Sequence, residues 1–208
     1  MKTKFALCLA TILGSSLLQF AQAQGNREAA RLARDGTQAA KDQDWDKAID
    51  LFRKAADMDK KFAPNLAVAY QQRGYTSQKE QRFNEAIADF GEAIKVNPRD
   101  TRIYEQRAAV EMKINALDQA LADYSEASKL NPNEVRFYLY RGYIYELKGD
   151  MDNSMAETEK ALKVQPKNPD AVARKERLQK IKQAQSGAPP PLPVPARTPP
   201  PAAPARTP

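Results

Sequence analysis

Small, aromatic and polar positions recur along this chain at helical spacing, and the pattern itself repeats. The segments AIADFGEAIKVNP (86–98) and ALADYSEASKLNP (120–132) agree at eight of thirteen positions, at an offset of 34. With Ala86 and Ala120 as anchors, another 34 residues lead to Ser154, and 38 back lead to Ala48. Four residues after each anchor stand Phe52, Phe90, Tyr124 and Thr158; seven after it stand Ala55, Ala93, Ala127 and Ala161. Three before it are Trp45, Phe83, Leu117 and Met151. These spacings predict one amphipathic helix per unit. Asp46, Asn84, Asp118 and Asp152 are expected to cap its start, and Pro98, Pro132 and Pro166 to close three of the units. A second helix is predicted upstream, with Leu32, Tyr70, Tyr104 and Tyr138 in one column and Gly36, Gly74, Ala108 and Gly142 in another. The small column lets two antiparallel helices approach closely. A fixed period of this size is the signature of a solenoid.

These columns resemble the tetratricopeptide repeat, whose pattern is large, small, large, Ala, aromatic, Ala and Pro at unit positions 4, 8, 11, 20, 24, 27 and 32. The resemblance implies an all-α fold, a right-handed α-solenoid of four repeats at 29–62, 67–100, 101–134 and 135–168. Position 11 departs from the pattern in three units, with Ala39, Ser77 and Glu111 before Tyr145, and Ser154 and Thr158 replace the Ala and aromatic of the fourth. The four residues inserted before the second unit amount to about one helical turn, expected to extend a helix around Pro64. Asn168 and Pro169 predict a further helix over 169–185, resembling the polar cap that ends such arrays.

The two ends differ in kind. Lys2 and Lys4, the apolar run Phe5 to Leu18 and Ala21-Gln22-Ala23 follow the order of a secretory signal. The run is shorter than the roughly 20 residues of a membrane-spanning helix. Cleavage is therefore expected after Ala23, leaving 24–28 as a short lead and pointing to export, with the resemblance implying the bacterial periplasm. Residues 186–208 are expected to form a disordered, proline-rich tail; ten of the fifteen prolines lie between Pro189 and Pro208, a stretch reaching up to ~60 Å at about 3.1 Å per residue.

Cys8 falls within the signal, so the mature chain holds no cysteine and, like the whole, no histidine. Thiolate and imidazole chemistry and zinc sites on nitrogen or sulfur are excluded. Neither a glycine-rich phosphate loop nor a nucleophile elbow occurs, so no catalytic residue, cofactor or metal is assigned. The net charge of +7 is spread among acidic residues, which argues against nucleic acid as a partner. Arg73, Arg107 and Arg141 at position 7 lie opposite Asp89, Asp123 and Glu157 at position 23 of an antiparallel hairpin, predicting one half-exposed ion pair per unit. Three copies at one lattice position indicate packing rather than catalysis.

In this family the first helices line the concave face. The resemblance thus implies a partner-binding groove of Gln71, Tyr75, Arg102, Met112, Lys113, Arg136, Leu139 and Tyr143, with Tyr140 a further candidate. Ala33, Thr37 and Gln72 stand where members that clamp a peptide's terminal carboxylate carry several of their binding residues, so that clamp is not expected. The function implied is a non-catalytic scaffold or adaptor of the cell envelope that holds a protein or peptide partner. The alternative is attachment: residues 170–182 carry five basic and two acidic side chains, and 170–208 could contact anionic membrane or cell-wall polymer.

Overall fold

Each repeated column becomes a packing contact in the computed structural model, which describes residues 2–187. The helices are α1 (Lys2–Lys41), α2 (Trp45–Met58), α3 (Ala63–Lys79), α4 (Phe83–Val96), α5 (Thr101–Lys113), α6 (Leu117–Leu130), α7 (Val135–Leu147), α8 (Met151–Val164) and α9 (Pro169–Ser186). Consecutive helices pack as hairpins, and each hairpin packs only on its neighbours, so the chain is an α-solenoid. Residues 188–208, most of the expected tail, lie outside the described residues. No helix among the described residues is long and apolar enough to cross a membrane. α1 runs unbroken through Ala23, so residues 24–28 are helical; of its described side chains, Ala29 is the first buried.

The anchor and aromatic columns form the core. Ala48, Ala86 and Ala120 are fully buried, as are Ala55, Ala93, Ala127 and Ala161. Phe52, Phe90 and Tyr124 lie among them. The glycine column explains how closely the helices cross: a methyl group added to Gly74 would stand 3.1 Å from the Phe90 ring and 3.2 Å from the Ala86 carbonyl oxygen. One at Gly36 would stand 3.1 Å from the Phe52 ring.

Within each hairpin the chain reverses at Gln43, Gln81, Asn115 or Gly149, all with positive φ. The residue after each donates its amide to a carbonyl five positions back: Asp44 to Ala39 at 2.9 Å, and Arg82 to Ser77, Ala116 to Glu111 and Asp150 to Tyr145 at 2.8 Å. This is a Schellman closure. It makes the backbone carbonyl of position 11 the constant and frees its side chain to vary. Between units, the tyrosine hydroxyls of Tyr104 and Tyr138 donate to the carbonyls of Pro98 and Pro132, at 3.1 and 3.0 Å. The insertion before the second unit has no such proline; there a 3₁₀ turn, Lys60–Phe62, leads into a longer α3, and Arg53 donates to the Tyr70 hydroxyl.

The expected caps are displaced. The second helices begin at Trp45, Phe83, Leu117 and Met151, so Asp46, Asn84, Asp118 and Asp152 sit one residue inside them. The true capping positions are Asp44, Arg82, Ala116 and Asp150, and of these Asp44 and Asp150 accept from the amides of Lys47 and Asn153. Three of the displaced acids reach the following unit instead. Asp46 bonds to Arg73 at 2.5 Å, Asp118 bonds to Lys148, and Asp152 lies 3.5 Å from Lys182.

The fourth unit replaces its missing aromatic from outside. Ser154 and Thr158 are fully buried but short, and Thr158 turns its hydroxyl back to the Ser154 carbonyl at 2.8 Å. A methyl group on Gly142 would meet not a ring but the Arg174 guanidinium, at 2.8 Å. Arg174 enters from α9, donates to the Leu139 carbonyl at 2.7 Å and pairs with Glu146 at 2.8 Å. It occupies the place against the glycine that Phe52 and Phe90 take elsewhere. Arg174→Ala should cost about 3 kcal/mol in urea unfolding, by leaving Glu146 half-paired over a void. Thr158→Phe alone should also destabilise, by crowding Arg174. The two together should recover at least half of the summed loss, and plain additivity would contradict the exchange of places.

Candidate functional site

The three predicted ion pairs all form, and they hold the first helices against the second. Arg73 grips Asp89 through two bonds of 2.9 and 2.6 Å, and Arg107 grips Asp123 through two of 2.7 and 2.6 Å. Arg141 meets Glu157 at 3.0 Å. The pairs are not half-exposed as expected: the side chains of Asp89, Asp123 and Glu157 keep only 7%, 5% and 4% of their exposure. They differ from surface pairs because the column lies between the helices. Removing the arginine therefore leaves a carboxylate without water, which costs far more than the 0–1 kcal/mol of a surface pair.

Beside the middle pair lies Glu111, at the variable position 11. It is buried, its Oε1 stands 3.9 Å from Arg107, and its Oε2 has no hydrogen-bond partner. Burial, then the nearby charge of Asp123, pushes its pKa up to about 7, with Arg107 opposing.

On the face formed by the first helices, the eight candidate groove residues divide. Arg136, Leu139 and Tyr143 of α7 come together at a cavity of about 480 Å³, which also takes in Tyr140 and, from α9, Asp170, Ala173, Arg174 and Arg177. The other five lie along α3 and α5. Tyr75 is exposed with the Lys79 ammonium 4.6 Å over its ring, and the Gln71 amide donates to Gln106 at 2.5 Å. Arg102 folds back onto Asp100, which also caps its helix, at 2.9 and 2.7 Å. Met112 is half-buried against the core of α5 to α7, and Lys113 approaches the Phe83 ring at 5.8 Å. Tyr140 stays exposed, as Tyr143 does, while one face of its ring stacks on Tyr124 with centroids 4.8 Å apart.

The arginines of the cavity are held in place by acids. Arg136 bonds Glu105 and Glu134, both at 3.0 Å, and Arg177 bonds Glu146 at 2.5 Å. Both remain half-exposed, with guanidinium donors to spare. The α9 wall was expected as a solubilising cap, or alternatively as an anionic-surface contact, and not as part of the groove. The sign that it does more is the pairing of a small residue at Gly142 with a missing aromatic at Thr158, a gap that a long side chain from the next helix fills.

Residues 67–100 and 135–168 match the family model described as tetratricopeptide repeat, and residues 109–149 match one described as TPR repeat. Among solved structures, the chain is similar to the TPR domain of Arabidopsis OM64, at 27% identity and a TM-score of 0.51, over 57% of this chain and 98% of that one. It is similar in fold to the second TPR domain of human RPAP3, in complex with the HSP70 peptide SGPTIEEVD, at 22% identity and a TM-score of 0.50, over 56% and 98% of the two chains. A tetratricopeptide repeat protein of Parabacteroides merdae gives 17% identity and a TM-score of 0.54, over 77% of this chain and 68% of that one. No curated protein matches the sequence.

The state of Glu111 sets a pH dependence. Its pKa is raised in the folded chain from an ordinary 4.5 to about 7, so the folded state binds the extra proton and stability falls as pH rises through that window. Glu111→Gln should therefore stabilise the chain by about 1–3 kcal/mol at pH 8 and by little at pH 4.5. Thermal melts at the two pH values check this; an equal shift at both would contradict it.

Proposed function

We propose that this chain of tetratricopeptide repeats is a non-catalytic scaffold or adaptor of the cell envelope that holds a partner peptide or helix along the face of its first helices. The observation that carries the reading is the cavity between α7 and α9. It offers an exposed aromatic plane at Tyr143, an apolar floor at Leu139 and Ala173, and guanidinium donors at Arg136 and Arg177. Tyr and Arg on a rigid frame are the residues most often found at binding hot spots. The arginines are already oriented by Glu105, Glu134 and Glu146, so a partner meets fixed donors and loses little side-chain freedom on binding. A repeat domain of this fold carries a bound peptide in the human RPAP3 complex. Here Ala33, Thr37 and Gln72 supply no terminal-carboxylate clamp, so the expected ligand is an internal segment or a helix, read by its aromatic and apolar side chains.

Attachment to an anionic surface through α9 is the weaker reading, because Arg174 is held by Glu146 and the Leu139 carbonyl, and Lys175 and Lys182 lie 3.7 and 3.5 Å from Glu159 and Asp152. Export to the bacterial periplasm rests on the first 23 residues. Cleavage after Ala23 would leave all of the described buried part of α1 in place. The mature chain should then begin at Gln24, and an intact Met1 on the chain recovered from its cells would overturn export.

A photo-crosslinking side chain at Tyr143 should give a light-dependent adduct with one protein in the native compartment, whereas the same group at the exposed Lys129 of α6 should not. Leu139→Asp should abolish the adduct without unfolding the chain. Equal adducts from both positions, or none from Tyr143, would refute the groove.

A further inference from the structure

Every hairpin closes at a residue of positive φ, and those residues keep the period of the array. Gln43, Gln81, Asn115 and Gly149 stand 38, 34 and 34 residues apart, and 38 more lead to Gly187, φ 65°, at the end of α9. After each of the first four reversals the chain returns as a second helix. After Gly187 the sequence is Ala188-Pro189-Pro190-Pro191-Leu192-Pro193-Val194-Pro195, which lacks the amides and the freedom in φ that a helix needs.

The missing helix leaves a seam without its outer wall. Between units one and two, a groove of about 510 Å³ is lined by Trp45 and Asp46 of α2, Arg73 and Ser77 of α3, and Glu85 and Asp89 of α4. The equivalent groove between α8 and α9 is larger, about 790 Å³, and it is lined by those two helices and by the turn Lys148–Asp150 that leads into α8. Its apolar residues are Met151 and Met155 from α8, with Leu178 and Ile181 from α9.

We propose that the chain's own segment 188–195 takes the place of this helix, lying in the α8–α9 groove as an extended, proline-rich cap. The segment starts in the right place, since Gln185, two residues before Gly187, already lines the groove. Its length fits. Leu178 is nine residues back along a helix rising 1.5 Å per residue, about 14 Å, and Leu192 is five residues on at about 3.1 Å each, about 16 Å. Leu192 thus comes level with Leu178. The chemistry fits as well: an extended proline-rich strand needs no partner for most of its backbone, and the flexible methionines adapt to an irregular apolar strand. This inference stands independently of partner binding at the α7–α9 cavity.

Methionine oxidation reads the cover directly. The chain through Pro208 is treated with dilute hydrogen peroxide, and sulfoxide at each methionine is followed by peptide mass spectrometry. Met151 and Met155 should oxidise at least about threefold more slowly in the native chain than in the Leu192→Asp/Val194→Asp double variant, with Met58 and Met112 unchanged between the two. Equal rates at Met151 and Met155 overturn the proposal. Protection that vanishes on roughly tenfold dilution overturns it too, because the cover then comes from a second copy.

Discussion

A single helical hairpin of this sequence cannot bury its own apolar edge, and the rest of the molecule answers that constraint. Ala86, Phe90 and Ala93 disappear from solvent only because α3 crosses them at glycine distance on one side and the next unit closes on the other. Stability therefore resides in seams as much as in units, which is the condition under which a repeat array must be built several units long. The face of first helices is a by-product of the same stacking. Presenting Arg136, Leu139 and Tyr143 together at one cavity costs no additional fold.

The polar residues follow the seams as closely as the apolar ones do. Inside each of the last three hairpins an arginine holds a buried carboxylate, at Asp89, Asp123 and Glu157. Between hairpins, Asp46, Asp118 and Asp152 tie the starts of α2, α6 and α8 to a basic residue of the next unit. The buried set specifies register, since a slip of one residue would strand a charge away from water. The exposed set contributes little energy and mainly limits how neighbouring units rotate.

What depends on periodicity was legible from the sequence. The alanine, aromatic and glycine columns, the helix order, the three ion pairs and the capping by Asn168 all follow from spacing within one unit. What depends on the angle between units was not. The acidic column was read as caps because a short acid near a helix start is the usual local meaning, whereas its partners lie 27 or 30 residues away in a separate hairpin. The reversals at Gln43, Gln81 and Asn115 carry no glycine to announce positive φ. Nothing local to Tyr140 announces that Tyr124, from the preceding unit, stacks on its ring. Of the groove, the α7 residues were readable and the α9 wall was not, because its role arises from a space that Thr158 leaves unfilled.

Arg174 turns that last point into a rule about modularity. Units two and three each carry their own aromatic, Phe90 or Tyr124, so each is complete as a hairpin and could in principle be duplicated or lost without changing its neighbours' interiors. Unit four is not complete without α9, whose arginine sits against Gly142 and is bound to the Leu139 carbonyl. The fourth hairpin and the last helix are thus one inheritable block. Any lengthening of the array would be tolerated upstream of Val135 far more readily than after Val164, and the α7 and α9 residues that line the cavity would stay together through such changes, with only the acids that hold Arg136, Glu105 and Glu134, lying outside the block.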